Sequence, residues 1–277
     1  MKERLEKDYR RKVLLLAIDV QNDFMDGGAL GVPGAKEDTA RIVTFIEEHS
    51  EDITQIMVSL DTHKPQQIFH PCWWEDGQGR EPDPFTIITA RDVKEGKWKP
   101  KYYEIASVRY VQMLERNSKK QLCIWPYHCL QGTYGAALEE QFAKKAYQHS
   151  VEREYELQTI VKGLEPLSEM YGIIQPEYSE KNLIQTEVIN TLKLYDEIVI
   201  VGEAASHCVL ESVAQIAEHL RPEINSPQLT VLEDCMSCIP SFEEDTDNSF
   251  RALQERGEIE ILTSNQWKGR NVIMKER

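Results

Sequence analysis

The segment that decides the fold is Glu197–Leu220, EIVIVGEAASHCVLESVAQIAEHL. It opens with Ile198-Val199-Ile200-Val201, an uninterrupted β-branched run of the kind that forms a strand buried in a parallel sheet. Gly202 and the small residues Ala204, Ala205 and Ser206 permit a sharp turn. From Ser206 the period changes, and Val209, Val213, Ile216 and Leu220 recur at helical spacing. Cys208 therefore falls in the first turn of a helix that directly follows a strand. Free N–H groups and the positive dipole end there favour thiolate, the reactive form of cysteine. A lone buried cysteine also packs well as a small hydrophobe, so its position alone assigns no role.

Working outward, Lys12–Asp19 reads as another buried strand, ending in a carboxylate. The C-terminal ends of parallel strands face the ligand crevice, which puts Asp19 within reach of chemistry. The polar, glycine-rich loop Gln21–Leu30 follows, and then a helix over Ala35–Glu48. Ile53–Leu60 is a strand that runs into Asp61-Thr62-His63. Residues i and i+2 of an extended chain share a side, so Asp61 and His63 present an oxygen and a ring nitrogen to one point, which suits a divalent metal. Gln121–Trp125, Leu157–Val161, Gln228–Glu233 and Ile259–Leu262 complete the expected strands. Helices are expected at Ser107–Asn117, Ala136–Tyr147, Lys181–Leu194 and Phe242–Gln254. This βαβα alternation implies an α/β fold with a mainly parallel, helix-flanked sheet. No internal repeat or dividing linker interrupts it, and Arg221–Pro227 is only a connection.

The 277 residues, 41% of them hydrophobic, suffice for a sizeable core. A net charge of −15 argues against nucleic acid and against an anionic membrane as partner. The N-terminal MKERLEKDYRRK is charged, and the apolar run after it is too short for a signal segment or a membrane span, so a cytoplasmic protein is expected. Six cysteines are sparse for this length and are read as reduced thiols, the Cys235–Cys238 pair included.

Four stretches in chain order carry a resemblance: Asp19-Val20-Gln21-Asn22-Asp23-Phe24; Trp125-Pro126-Tyr127-His128-Cys129 with Gly132-Thr133; Val161-Lys162-Gly163; and Val201-Gly202 with Ala204 and Cys208. Together they resemble the isochorismatase-like cysteine hydrolases, and among these the nicotinamidase-like branch. The resemblance implies a single domain over residues 1–277, a three-layer α/β/α architecture with a six-stranded, mainly parallel sheet. It also implies hydrolysis of a small carboxamide, nicotinamide to nicotinate and ammonia, as in NAD metabolism. By matching motif, Cys208 is the nucleophile, Asp19 the proton acceptor and later donor, and Lys162 the cation that holds both. The amides of Ala204 and Cys208 form the oxyanion hole, and the Glu203–Ala204 peptide is expected to be cis. Gln21, Phe24, Trp125, Glu203 and His207 fall at substrate-pocket positions. Asp61, His63 and His128 match the ligands of a divalent ion (zinc, iron or manganese), and the remaining ligand is left open between His70, which lies farther on than the usual spacing, and Gln67, which stands nearer it. No organic cofactor is implied. The partner is a small-molecule amide, and a homo-oligomer is left open.

The chain also departs from the family pattern. Glu203 stands where an apolar residue is usual and Ser206 where an Asp is usual, and about 73–120 is an insertion expected to cover the active site, with Trp73 or Trp74 joining the pocket wall. A vinyl-ether hydrolase of isochorismatase type, an amidase of another small amide and a non-catalytic domain of the same fold are the alternatives. The intact Asp19, Lys162 and Cys208 disfavour the last of these.

Overall fold

The computed structural model describes residues 11–118, 120–220 and 226–269. The charged N-terminal run and most of the Arg221–Pro227 connection lie outside them. Six strands form one sheet: β1 (Val13–Ile18), β2 (Gln55–Asp61), β3 (Gln158–Lys162), β4 (Glu197–Gly202), β5 (Gln228–Leu232) and β6 (Glu260–Leu262). Their spatial order is β6-β5-β4-β1-β2-β3, and every pairing is parallel. The chain steps outward from β1 to β3, then returns to the other side of β1 at β4. That reversal opens a crevice beyond the carboxyl ends of β1 and β4.

Every residue of β1 and β4 is buried, which is why both read as unbroken apolar runs. Alternate residues of β1 feed opposite layers. Val13, Leu15 and Ala17 pack with Ile42 and Phe45 of α1 (Ala35–Glu48) and Phe142 of α4 (Glu140–Arg153). Leu14, Leu16 and Ile18 pack with Leu192 of α5 (Thr186–Leu192), Val213 and Ile216 of α6 (Leu210–Leu220), and Phe250 of α7 (Glu243–Glu255). The result is the expected three layers around a six-stranded parallel sheet.

The segment 73–120 carries α2 (Ala90–Lys94) and α3 (Glu104–Met113), the latter running on into a π-helical turn, Leu114–Ser118. It builds a third core in which Trp73, Trp74, Ile88, Tyr110 and Val111 pack behind Phe69 and Trp125. Gln121–Trp125 belongs to this core and not to the main sheet. Only Leu122–Cys123 is extended, and it pairs antiparallel with Ile87–Ile88. The burial of Leu122 and Ile124 gave that stretch its strand-like pattern, but what buries them is the insertion. Two helices also differ in extent. The Glu139 side chain caps the amide of Phe142, so α4 begins after the expected Ala136. Before α5 the chain bends through Asn182, whose φ is +47°, so the expected Lys181–Leu194 helix is confined to Thr186–Leu192.

Candidate active site

Asp19 directly follows β1, Asp61 ends β2, Lys162 ends β3, and Cys208 follows the turn after β4. Two glycines let these ends converge. A Cβ on Gly202 would lie 2.0 Å from the carbonyl oxygen of Ile18, so no other residue lets β4 approach the end of β1 so closely. A Cβ on Gly163 would lie 2.7 Å from Asp61 Oδ1, and its φ of +80° also favours glycine.

Lys162 is the hub. Its fully buried ammonium lies 2.9 Å from Asp19 Oδ2 and 3.1 Å from Asp61 Oδ1, and donates to Cys208 Sγ at 3.5 Å and to the Met170 carbonyl at 3.1 Å. The Ser59 hydroxyl donates to Asp19 Oδ1 at 2.5 Å, while Ser59 Oγ accepts the Asp19 amide at 3.0 Å. Burial works against charge on Lys162, but Asp19, Asp61 and Cys208 outweigh it and hold the ammonium well above the ordinary lysine range. Burial raises Asp19, against the pull of Lys162. Burial also pushes the Cys208 thiol well up. Lys162 opposes this, while Asp19 and Asp61 add to it.

This corrects the reading of Cys208 as a thiolate stabilised by a helix start. The residue sits in a π-helical turn, Ala205–Val209, ahead of α6, and its surroundings favour the thiol. A thiol in this state needs a base before it can react, and the Asp19 carboxyl shares the Lys162 ammonium with it. The Glu203–Ala204 peptide is cis. Among the described residues the Ala204 amide has no hydrogen-bond partner, and both Ala204 and Cys208 line the cavity.

Asp61, His63 and His128 form a buried cluster whose ligand atoms lie within 4.8 Å of one another. His63 Nε2 is 2.7 Å and His128 Nε2 3.5 Å from Asp61 Oδ2. Their Nδ1 atoms face the carbonyls of Gly163 (3.2 Å) and Pro126 (2.8 Å). A carbonyl only accepts, so each Nδ1 donates, which turns each Nε2 towards Asp61 Oδ2 as the ring atom that would ligate an ion. His70 is held in the same way by the Lys64 and Pro65 carbonyls, and its buried Nε2 has no partner among the described residues. Its ring centroid lies 5.8 Å from that of His63 and 6.1 Å from that of His128. Burial, with His63 and His128 adding to it, drops His70 to about 3, so it is a neutral ring. Gln67 is no ligand, since its side chain is spent on Lys64 N and on the Gly163 and Glu165 carbonyls. The donor set fits a divalent ion.

The cavity above these groups is lined mainly by apolar and aromatic side chains. Phe24, Trp125 and His207 line it as expected, while Gln21 and Glu203 do not. Gln21 instead clamps the main chain of Asp61, donating to its carbonyl and accepting from its amide, each at 2.8 Å. Glu203 turns away from the cavity, and the Ser237 amide donates to its Oε2. Ser206 accepts the Ile239 amide at 3.1 Å and holds His207 Nδ1 at 2.9 Å. Burial lowers His207 to about 4, with Lys120 adding to it. Trp73 and Trp74 do not reach the wall, because their indole N–H groups are fixed by Ser107 Oγ and the Ile68 carbonyl inside the third core. Among the described residues, none of 73–120 lines the cavity; those of the third core pack behind Phe69 and Trp125.

The sequence did not point to Glu169, Met170 and Tyr171, from the irregular stretch after β3. Glu169 accepts Trp125 Nε1–H at 2.7 Å and the Tyr171 hydroxyl at 2.6 Å, and burial raises it to about 8. The only local signal was a carboxylate and an aromatic a few residues beyond Lys162-Gly163, with no periodicity to give them a face.

No family model matches the chain. A nicotinamidase of Saccharomyces cerevisiae is 23% identical over 207 residues, covering 74% of this chain and 81% of the relative. Among solved structures, a nicotinamidase/pyrazinamidase of Acinetobacter baumanii superposes with a TM-score of 0.64 at 19% identity, covering 93% of this chain and 98% of that one. A pyrazinamidase of Pyrococcus horikoshii in complex with zinc has a TM-score of 0.54 at 20% identity, covering 91% and 99%. The fold is the isochorismatase-like one, and the resemblance runs to its nicotinamidase branch.

Proposed function

We propose that the chain is a cysteine hydrolase of small carboxamides, with nicotinamide its first substrate. The observation that carries this reading is the Lys162 ammonium bound at once to Asp19, Asp61 and Cys208 at the base of an aromatic cavity. A binding module gains nothing from a buried thiol, carboxylate and ammonium within contact of one another. The similarity to nicotinamidases supports the choice of substrate.

A flat carboxamide enters between Phe24 and Trp125, apolar faces that suit an aromatic ring. Asp19 takes the thiol proton as Cys208 Sγ bonds to the amide carbon, and Lys162 steadies the charges of both groups. The developing oxyanion is received by the Ala204 and Cys208 amides. Asp19 returns the proton to the departing ammonia, leaving a thioester. A water molecule, deprotonated by Asp19, then attacks the thioester carbon, releasing the carboxylic acid and restoring the thiol. Asp61, His63 and His128, with His70 adjacent, would hold a divalent ion, and such an ion supplies a Lewis-acidic anchor for a ring nitrogen or for water.

The substrate test is ammonia release from a carboxamide panel that includes nicotinamide. Turnover of nicotinamide is expected. Activity confined to other amides would end the nicotinamide assignment and keep the cysteine-hydrolase one. No ammonia from any amide would overturn both.

The metal site has its own test. Protein purified without chelator is expected to carry about one divalent ion, and His63→Ala to lower the bound metal about tenfold or more. His70→Ala should weaken binding less, because His70 stands beside the cluster. Equal metal content in wild type and His63→Ala would remove the site.

A further inference from the structure

Two buried carboxyl groups stand apart from both the triad and the metal cluster: Asp38 on α1 and Glu203 at the turn after β4. One oxygen of each is accounted for. Asp38 Oδ1 pairs with the Arg41 guanidinium, and Glu203 Oε2 accepts the Ser237 amide at 3.2 Å. The other two, Asp38 Oδ2 and Glu203 Oε1, are buried and have no donor among the described residues, although the two side chains are within hydrogen-bonding reach of each other. Two bare carboxylates in that position leave both oxygens unsatisfied and in mutual repulsion. One proton between them satisfies both.

We propose that Glu203 and Asp38 share one proton and that this pair positions the Glu203–Ala204 peptide, and with it the Ala204 amide, against Cys208. Glu203 is thus a positioning residue for hydrolysis, in a role that rests on the carboxamide-hydrolase reading. Three hydrogen bonds tie this turn to the chain after β5. Ser237 N donates to Glu203 Oε2, Ala205 N to the Ser237 carbonyl at 2.8 Å, and Ile239 N to Ser206 Oγ at 3.1 Å. Ile239 itself lines the cavity, so the tie joins the nucleophile's turn to the cavity wall. Glu203 supplies the side chain for one of these bonds, and Asp38 anchors that side chain to α1.

The groups facing the pair come from every element around it. They are Arg41 on α1, Asp26 in the loop before it, and Asp234, Cys235 and Cys238 beyond β5. Burial, with Asp38 second, raises Glu203 well above its ordinary 4.5. A carboxyl raised on folding contributes stability that is complete below its unfolded value and is lost as pH climbs towards its folded value. Wild-type stability should therefore decline above about pH 4.5 in a way that Glu203→Gln does not. Glutamine keeps both contacts, its carbonyl accepting from Ser237 and its amide donating to Asp38, without a titrating proton.

The experiment compares wild type, Glu203→Gln, Glu203→Leu and the double variant Asp38→Leu/Glu203→Leu. Melting temperatures are taken from pH 5 to pH 8, and kcat and KM are measured on the best carboxamide. The Tm of Glu203→Gln is expected to rise relative to wild type by about 3 °C per pH unit. Its kcat should stay within about twofold, while Glu203→Leu loses about tenfold in kcat with KM little changed. The double variant, which removes the stranded Asp38 carboxylate as well, should recover melting temperature relative to Glu203→Leu. A Tm difference that is flat with pH, or a Gln variant as impaired as the Leu variant, overturns the proposal. The melting comparison needs no substrate, so it decides on the pair even where no carboxamide is hydrolysed.

Discussion

Replacing Cys208 by alanine is expected to abolish ammonia release, by about 10³-fold or more, while the protein stays folded. The sulfur is the atom proposed to bond to the amide carbon, and the Lys162 ammonium sits 3.5 Å from it. The substitution removes a single buried atom with no charge to strand, so stability should fall by about 1 kcal/mol or less. The measurement is turnover on the best carboxamide beside thermal unfolding of the same preparation. A variant that keeps more than a few per cent of activity would rule out the thioester route. In wild type, an electrophile should label Cys208 with a rate that tracks Asp19, falling in Asp19→Asn. The other cysteines face the same electrophile without a buried base and ammonium in contact. Burial pushes the Cys123 thiol up, with Glu169 adding to it, and at Cys129 burial with Asp61, Asp19 and Asp23 outweighs the pull of Lys162.

Lys162→Met should differ from Cys208→Ala in being costly to the fold as well as to activity. Methionine fills a similar volume without the charge, leaving Asp19 and Asp61 buried and close together without their common cation. Removing one partner from a buried ionic cluster typically costs about 3–5 kcal/mol. For a chain of this size that corresponds to a drop in Tm of about 10 °C. The loss should grow with pH. Without Lys162 the Asp19 carboxyl is raised further on folding, and a raised carboxyl contributes stability at low pH that disappears as pH rises. Melting at pH 5 and at pH 8 tests this, with the larger deficit expected at pH 8. Asp19→Asn in the Lys162→Met background should restore part of the stability and none of the activity. A Lys162→Met protein that melts like wild type at both pH values would show that the ammonium is not the electrostatic centre of the site.

The sequence by itself determined the layered α/β fold, because the all-apolar runs Val13–Ile18 and Ile198–Val201 have the length and apolar character of strands buried on both faces and alternate with helical patterns. It placed Asp19, Asp61, Lys162 and Cys208 at strand ends, where topology brings them together. The Asp61-Thr62-His63 spacing carried the inner part of the Asp61–His63–His128 cluster, since i and i+2 share a side in extended chain. Other properties were decided only in three dimensions, for definite physical reasons. Gln121–Trp125 has the apolarity of a strand, but burial does not say which neighbour does the burying, and here the insertion does. Gln21 and Glu203 sit beside pocket residues in sequence, yet each found stronger partners elsewhere: the Asp61 main chain for one, Ser237 and Asp38 for the other. Glu169 and Tyr171 enter the cavity wall from a stretch without periodicity, so no face could be assigned to them. The resting state of Cys208 was likewise beyond local reading. The start of a helix favours thiolate, but burial outweighs it, and the opposing charges come from strands that meet only when the sheet forms.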